Sequence, residues 1–172
     1  MAVKKILIEP NKILRQVSQP VNEVNKEIQK LLDDMLETMY SANGIGLAAI
    51  QIGIPKRIIV MDISKDENKK EPRYFVNPVI KNIDTLKSTY EEGCLSVPNQ
   101  FAEIDRPKNC DVEYLDYNGE KKFLKAEGLL ATCIQHEMDH LEGILFIDYL
   151  SKLKKSMIVK KLSKLKSNTA IL

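Results

Sequence analysis

The chain has 172 residues, 44% of them hydrophobic and 29% charged, with a formal net charge of +2. That length and balance suit one soluble globular domain with a sizeable core, and three cysteines exclude a disulfide framework. The longest weakly polar stretch, "GIGLAAIQIGI" (44–54), is far short of the roughly 20 apolar residues a membrane span needs.

The N-terminal "MAVKKILIEP" has an apolar run of only Ile6-Leu7-Ile8, too short for a signal-peptide core, and its acid argues against a transit peptide. A reducing, cytoplasmic setting is expected, with no membrane and no DNA as partner. From Ser151 onward there are seven lysines and no acid, so a net acidic body carries a basic tail. Such a tail suits an anionic partner.

In chain order, "EIQKLLDDMLETMY" (27–40) places Ile28, Leu31, Leu32, Met35, Leu36 and Met39 on one stripe and predicts an amphipathic helix. Asn43-Gly44 ends it. "GIGLAAIQ" (44–51) runs into "IQIGIP", which reads extended. "KRIIVMDI" (56–63), "YFVNPVI" (74–80) and "LKSTYEE" (86–92) read as strands. Residues 110–128 alternate around Asn118-Gly119 and predict a hairpin. A second helix is expected over 129–142, ended by Gly143, and a third over 150–167. Strands bracketed by helices without a βαβ alternation predict an α+β fold. Its antiparallel strands would pack around a central helix, with further helices toward each end, in one catalytic domain over 1–172.

The chemistry gathers at "QHEMDH" (135–140), which holds the chain's two histidines, His136 and His140. On a helix, residues four apart share a face about 6 Å apart, so two imidazoles can share one ion. Glu137 would stand beside them, free to act as a base. A third ligand is needed. Downstream, Phe146 occupies the position where longer metalloprotease motifs carry a histidine. Cys133 lies on the same face, but three ligands over seven residues would span about 10 Å. Cys110 opens a strand among polar residues. Cys94, in "EEGCLSVP", follows a glycine at a strand end and could reach a helix face. One sulfur and two nitrogens would leave a fourth position open, the mark of a catalytic metal.

"GIGLAA" also fits a dinucleotide fingerprint, but it follows a helix where a phosphate loop should follow a strand. Its two glycines would instead let backbone approach a peptide closely.

Together "GIGLAAIQ" (44–51), "EGCLS" (92–96) and "QHEMDH" (135–140) resemble, in order and spacing, the three motifs of the peptide deformylases. The resemblance covers nearly the whole chain. It implies hydrolysis of the formyl group from N-formyl-methionyl nascent peptides, releasing formate. Metal ligands would be Cys94, His136 and His140. Glu137 would be general base and acid, and Gln51 and the Leu95 N–H would stabilise the oxyanion. One divalent ion is implied, Fe2+ in the cell, with Zn2+, Ni2+ or Co2+ able to occupy the site. Substrate contacts would come from Ile45, Gly46, Glu92, Gly93, Leu129 and Cys133. Thr132 departs from the aliphatic residue common in the family, and Phe101 stands where the enterobacterial type has an arginine. Glu92 is expected to pair with Arg106. The Lys-rich C-terminal helix has two readings, a solvated face packed by its leucines or a ribosome-binding element. Rival functions are a protease of internal peptide bonds and a metal-stabilised binding module.

Overall fold

The computed structural model describes residues 2–169, with side chains of the last helix through Leu165. Helix α1 (Lys26–Ser41) begins where the Asn25 side chain accepts a hydrogen bond from the Ile28 N–H at 3.0 Å. That contact satisfies one of the amides a helix start leaves unpaired. Its apolar stripe buries Ile28, Leu32, Met35 and Met39. On the buried side Asp34 accepts from the Ala2 N–H at 2.8 Å, and Thr38 accepts from the Lys4 N–H at 2.8 Å. The N-terminal segment is thereby laid along α1.

Strands β1 (Gly46–Ala48), β2 (Ile58–Met61), β3 (Arg73–Ile83), β6 (Asn109–Leu115) and β7 (Lys121–Glu127) form an antiparallel sheet in the order β1-β2-β3-β6-β7. β4 (Lys87–Cys94) and β5 (Val97–Pro107) form a separate two-stranded antiparallel sheet. Helices α2 (Gly128–Leu141) and α3 (Lys152–Thr169) complete a mixed α+β fold with three α-helices among the described residues. No helix among the described residues is long and apolar enough to cross a membrane.

Two local expectations need correction. "IQIGIP" does not continue extended: Ala49–Ile52 is a 3-10 turn closed by Gly53 at φ 85°, a left-handed conformation that glycine adopts at little cost. Strand β5 was not legible in the sequence. Its inward positions include Ala102, Ile104 and the buried Arg106, and a charge in that row breaks the apolar alternation that marks a strand.

One core lies between α2 and the five-stranded sheet, where Ile59, Phe75, Val112, Ala131 and Ile134 are buried. A second joins α1 to β1 and β2 through Leu32, Met35, Leu47 and Val60. A third gathers Leu14, Val97, Phe146 and Leu162, so α3 is docked by Leu162 with Ile158 and Val159, whereas Leu153 and Leu165, expected to pack on the body, are exposed. Each such aliphatic side chain contributes about 1.5–3 kcal/mol on full burial. α2 is unusual because Gln135, His136, Glu137 and His140 are buried with its apolar residues. Buried polar groups cost free energy unless partnered, which directs attention to this helix.

Candidate metal centre

His136 and His140 project from one face of α2, with ring centroids 5.1 Å apart. Cys94 arrives at the end of β4, where the pairing with β5 slips between Glu92 and Cys94. Such a bulge re-aims a side chain. It brings Cys94 Sγ to 3.3 Å from His140 Nε2. Ligand atoms of Cys94, His136 and His140 all lie within 4.8 Å of one another. Cys94, distant in the chain from the two histidines, meets them there. One thiolate sulfur and two imidazole nitrogens at that separation fit a single divalent ion.

His136 is oriented from behind. Its Nδ1 lies 2.9 Å from Glu92 Oε1. An ionised Glu92 only accepts, so Nδ1 carries the proton and Nε2 is left to face the sulfur. Arg106 donates to both Glu92 oxygens, at 2.7 and 2.9 Å, and to Asp139 at 2.8 Å. Tyr149 O–H adds a bond to Asp139 at 2.7 Å. Burial raises the Glu92 pKa, but hydrogen bonds from His136 and Arg106 outweigh it, and the net shift is downward. Burial works against a charged His136, yet Cys94 and Glu92 hold it well above its ordinary value. His140 is pushed well below, first by burial and then by the neighbouring His136 and Arg106 charges.

Glu137 differs from Glu92. Its Oε2 is buried without a hydrogen-bond partner, as is His140 Nδ1. Burial raises the Glu137 pKa to about 7, with His136 and Arg106 opposing and Glu92 adding. A carboxyl balanced near neutrality can both take and give a proton. Gly46 makes room for it: a Cβ there would sit 2.6 Å from Glu137 Oε1. Gly44 does the same for Leu95, at 2.6 Å from its Cδ1. The position a Cβ would take at each glycine is therefore filled by one of the chain's own side chains.

Gln51 is 1% exposed, on the 3-10 turn after β1. Its Oε1 accepts from the Ala48 N–H at 2.9 Å, which turns the NH2 toward Ser96 Oγ at 3.1 Å and Cys94 Sγ at 3.5 Å. Ile45, Gly46, Gly93, Leu129, Thr132 and Cys133 line a cavity of about 510 Å³ that also reaches His136 and Glu137. Leu95 lines it too. Glu92, expected to touch substrate, spends its carboxylate on Arg106 and His136. Burial raises the Cys133 thiol to about 12 and Cys110 to about 11, so neither is a ready thiolate.

Sequence reading missed a strap. Leu7 N–H donates to Gln51 O at 2.7 Å, Glu9 N–H to Ser96 O at 2.9 Å, and Ser18 N–H to Leu141 O at 2.8 Å. One N-terminal segment thus ties together the stretches that bear all three motifs. Backbone bonds of this kind leave no side-chain pattern to find.

A carboxylate set beside a Cys/His/His donor group at the floor of an open cavity defines a metal-dependent hydrolase. The family model described as polypeptide deformylase matches residues 3–156, and the chain belongs to this family. The curated peptide deformylase of Pelagibacter ubique strain HTCC1062 is 77% identical over 171 residues, covering 99% of each chain. A crystal structure of peptide deformylase from Ehrlichia chaffeensis superposes with TM-score 0.93 at 43% identity, covering 99% of this chain and 100% of that one. One from the same organism in complex with actinonin has TM-score 0.90 at 46% identity, covering 95% and 98%.

Proposed function

We propose that the chain removes the formyl group from the N-terminal formyl-methionine of newly synthesised polypeptides and releases formate. The observation that carries this reading is Glu137, buried and unpartnered beside the Cys94, His136 and His140 donor atoms. Those three side chains would hold one divalent ion. When bound, such an ion supplies a Lewis acid and lowers the pKa of water at its open position.

The chain's own residues supply the rest. Glu137 takes a proton from the attacking water as the new C–O bond forms at the formyl carbon. It then delivers that proton to the methionine nitrogen as the C–N bond breaks. Gln51 Nε2 and the Leu95 N–H donate to the oxygen that gains charge. Gln51 is suited to this because its own oxygen is held by Ala48. Losing one such donor costs about 2.7–4 kcal/mol of barrier. Ile45, Gly46, Gly93, Leu129 and Cys133 would bound the methionine pocket. Glu92 serves as a positioning residue for His136.

Residues 1–172 are read as one catalytic domain acting in the cytoplasm. Fe2+ is the ion proposed in the cell, with Zn2+, Ni2+ or Co2+ able to replace it. An iron form should lose activity in air while a nickel form does not, and equal decay of both would count against iron. The Lys-rich face of α3 is proposed to meet the ribosome, where phosphates attract lysines.

Formate release from formyl-Met-Ala-Ser, beside an unformylated peptide cut at internal bonds or not at all, tests the reaction. Cleavage of internal bonds would support a protease, and metal binding with no turnover a binding module.

A further inference from the structure

We propose that the outer edge of β7 docks an extended acidic segment of another polypeptide, which joins the five-stranded sheet as a sixth strand. This surface lies apart from the catalytic cavity, which no residue of β7 lines. β7 ends the strand order β1-β2-β3-β6-β7, so β6 is its one neighbour in the sheet. Among the described residues, no backbone bond joins residues 121–126 to a loop or a cap. An unpaired row of N–H and C=O groups is a template for a further strand.

Register decides which residues present that row. At the hairpin end the Asp116 N–H donates to Glu120 O at 2.9 Å. Counting along the antiparallel ladder from that pair, Lys122, Leu124 and Ala126 bond to β6, while Lys121, Phe123 and Lys125 turn their N–H and C=O outward. The same three residues place their side chains on one exposed face. Phe123 is 53% exposed, and Val79, 48% exposed, lies in its row across the sheet through Glu113. The two border one groove of about 450 Å³. Large apolar side chains gathered at a groove mark a binding surface more than single ones do.

Charge selects the occupant. Lys122 pairs with Asp116 and Glu120, and Lys81 pairs with Glu113. Among the described residues, no ion pair engages Lys121 or Lys125, which flank Phe123 on its own face. Lysines on an edge keep like copies apart. A second copy paired about Phe123 would set Lys121 against Lys125. A strand with an acid opposite each lysine and an apolar side chain opposite Phe123 meets the reverse situation, since directly opposed side chains lie about 4.5–5.5 Å apart.

The test uses an acetylated, amidated Thr-Glu-Thr-Val-Thr-Glu-Thr peptide beside its counterpart with Lys in place of both Glu. Binding to the full chain at low salt is followed through backbone amide signals in nuclear magnetic resonance. The acidic peptide should shift the Lys121, Phe123 and Lys125 amides, slow their hydrogen exchange and bind at least about tenfold tighter than the basic one. Joint Lys121→Glu and Lys125→Glu substitution should invert that preference, and Phe123→Ala should weaken binding by about two- to fivefold. Methylating the valine amide nitrogen removes a ladder hydrogen bond and should abolish binding. Formate release from formyl-Met-Ala-Ser should be unchanged in every variant, which also shows that each is folded. Absence of shifts at the three amides, a preference that survives the charge reversal, or full affinity of the methylated peptide would overturn the proposal. So would sedimentation showing that β7 pairs two copies of this chain and excludes the peptide.

Discussion

Glu92 Oε1 accepts from His136 Nδ1 at 2.9 Å while the same carboxylate is gripped by Arg106. Glu92 stands two residues before Cys94 on β4, and His136 stands on α2. The carboxylate thus joins the hairpin that carries the sulfur to the helix that carries the imidazoles, and Asp139 returns Arg106 to the same helix. A donor set drawn from distant segments keeps its spacing only if something outside it is rigid, and this buried ionic group is that brace.

Glu92→Ala should therefore weaken both metal binding and the fold. It leaves the Arg106 guanidinium buried with only Asp139, a loss of about 3–5 kcal/mol. Metal affinity should fall about 10–100-fold. Urea unfolding and competition against a chelating dye measure the two effects. A Glu92→Ala protein with unchanged metal content and activity would end the brace interpretation.

Glu137→Gln should lower kcat by about 10²–10⁴-fold with metal content retained, since the amide keeps the shape and loses the proton transfer. Gly46→Ala should act through the same group, because its Cβ would press on Glu137 Oε1 at 2.6 Å. Formate release and metal analysis on both variants provide the check.

Away from the donor set, two carboxylates add to Glu92 in shaping the acid limb of stability. At Asp148, burial raises the pKa, but hydrogen bonds from Arg15 and Lys155 outweigh it and the net shift is downward. At Asp62, burial is likewise outweighed by hydrogen bonds from Tyr40, Ser64 and Glu71. A lowered folded pKa gives stability that is complete above the unfolded value, about 3.9, and is lost as pH falls through the folded one. The contribution of these two carboxylates to Tm should hold from neutrality to about pH 4 and drop below it. Asp148→Asn should lower Tm at neutral pH and flatten the acid slope. A slope unchanged in this variant would remove Asp148 from the account.

On α3, Lys152, Lys160 and Lys161 are exposed while Leu162 is 1% exposed. Deleting the helix would strip the third core as well as the charge. Replacing those three lysines with Glu is the cleaner test. It should abolish co-sedimentation with ribosomes at low salt and leave tripeptide deformylation intact. Unchanged co-sedimentation would reduce the helix to a packing element.

Local pattern explains which elements could be read in advance. The stripe of α1, the alternation on either side of Asn118-Gly119 and the glycine after α2 are short-range signals. They state which face is apolar and where a chain must turn. β5 escaped because its inward Arg106 is satisfied by Glu92 and Asp139, partners on two other elements. Tyr149, 10 residues beyond Asp139, could not be linked to it without the fold.

By itself the sequence determined the inventory: two histidines one helical turn apart, a glutamate between them, and three cysteines from which one sulfur could be chosen. Cys94 beside those rings and the Glu92–Arg106 pair were expected from the sequence, but tertiary structure alone decided that Glu92 also faces His136 and that Gly46 leaves room for Glu137. It also decided that Glu137 is buried deeply enough to titrate near neutrality. Residue type and spacing encode donors and periodic faces, because those depend on neighbours a few residues away. Distances between segments and the loss of water around a charge depend on packing of the whole chain, and no local pattern carries them.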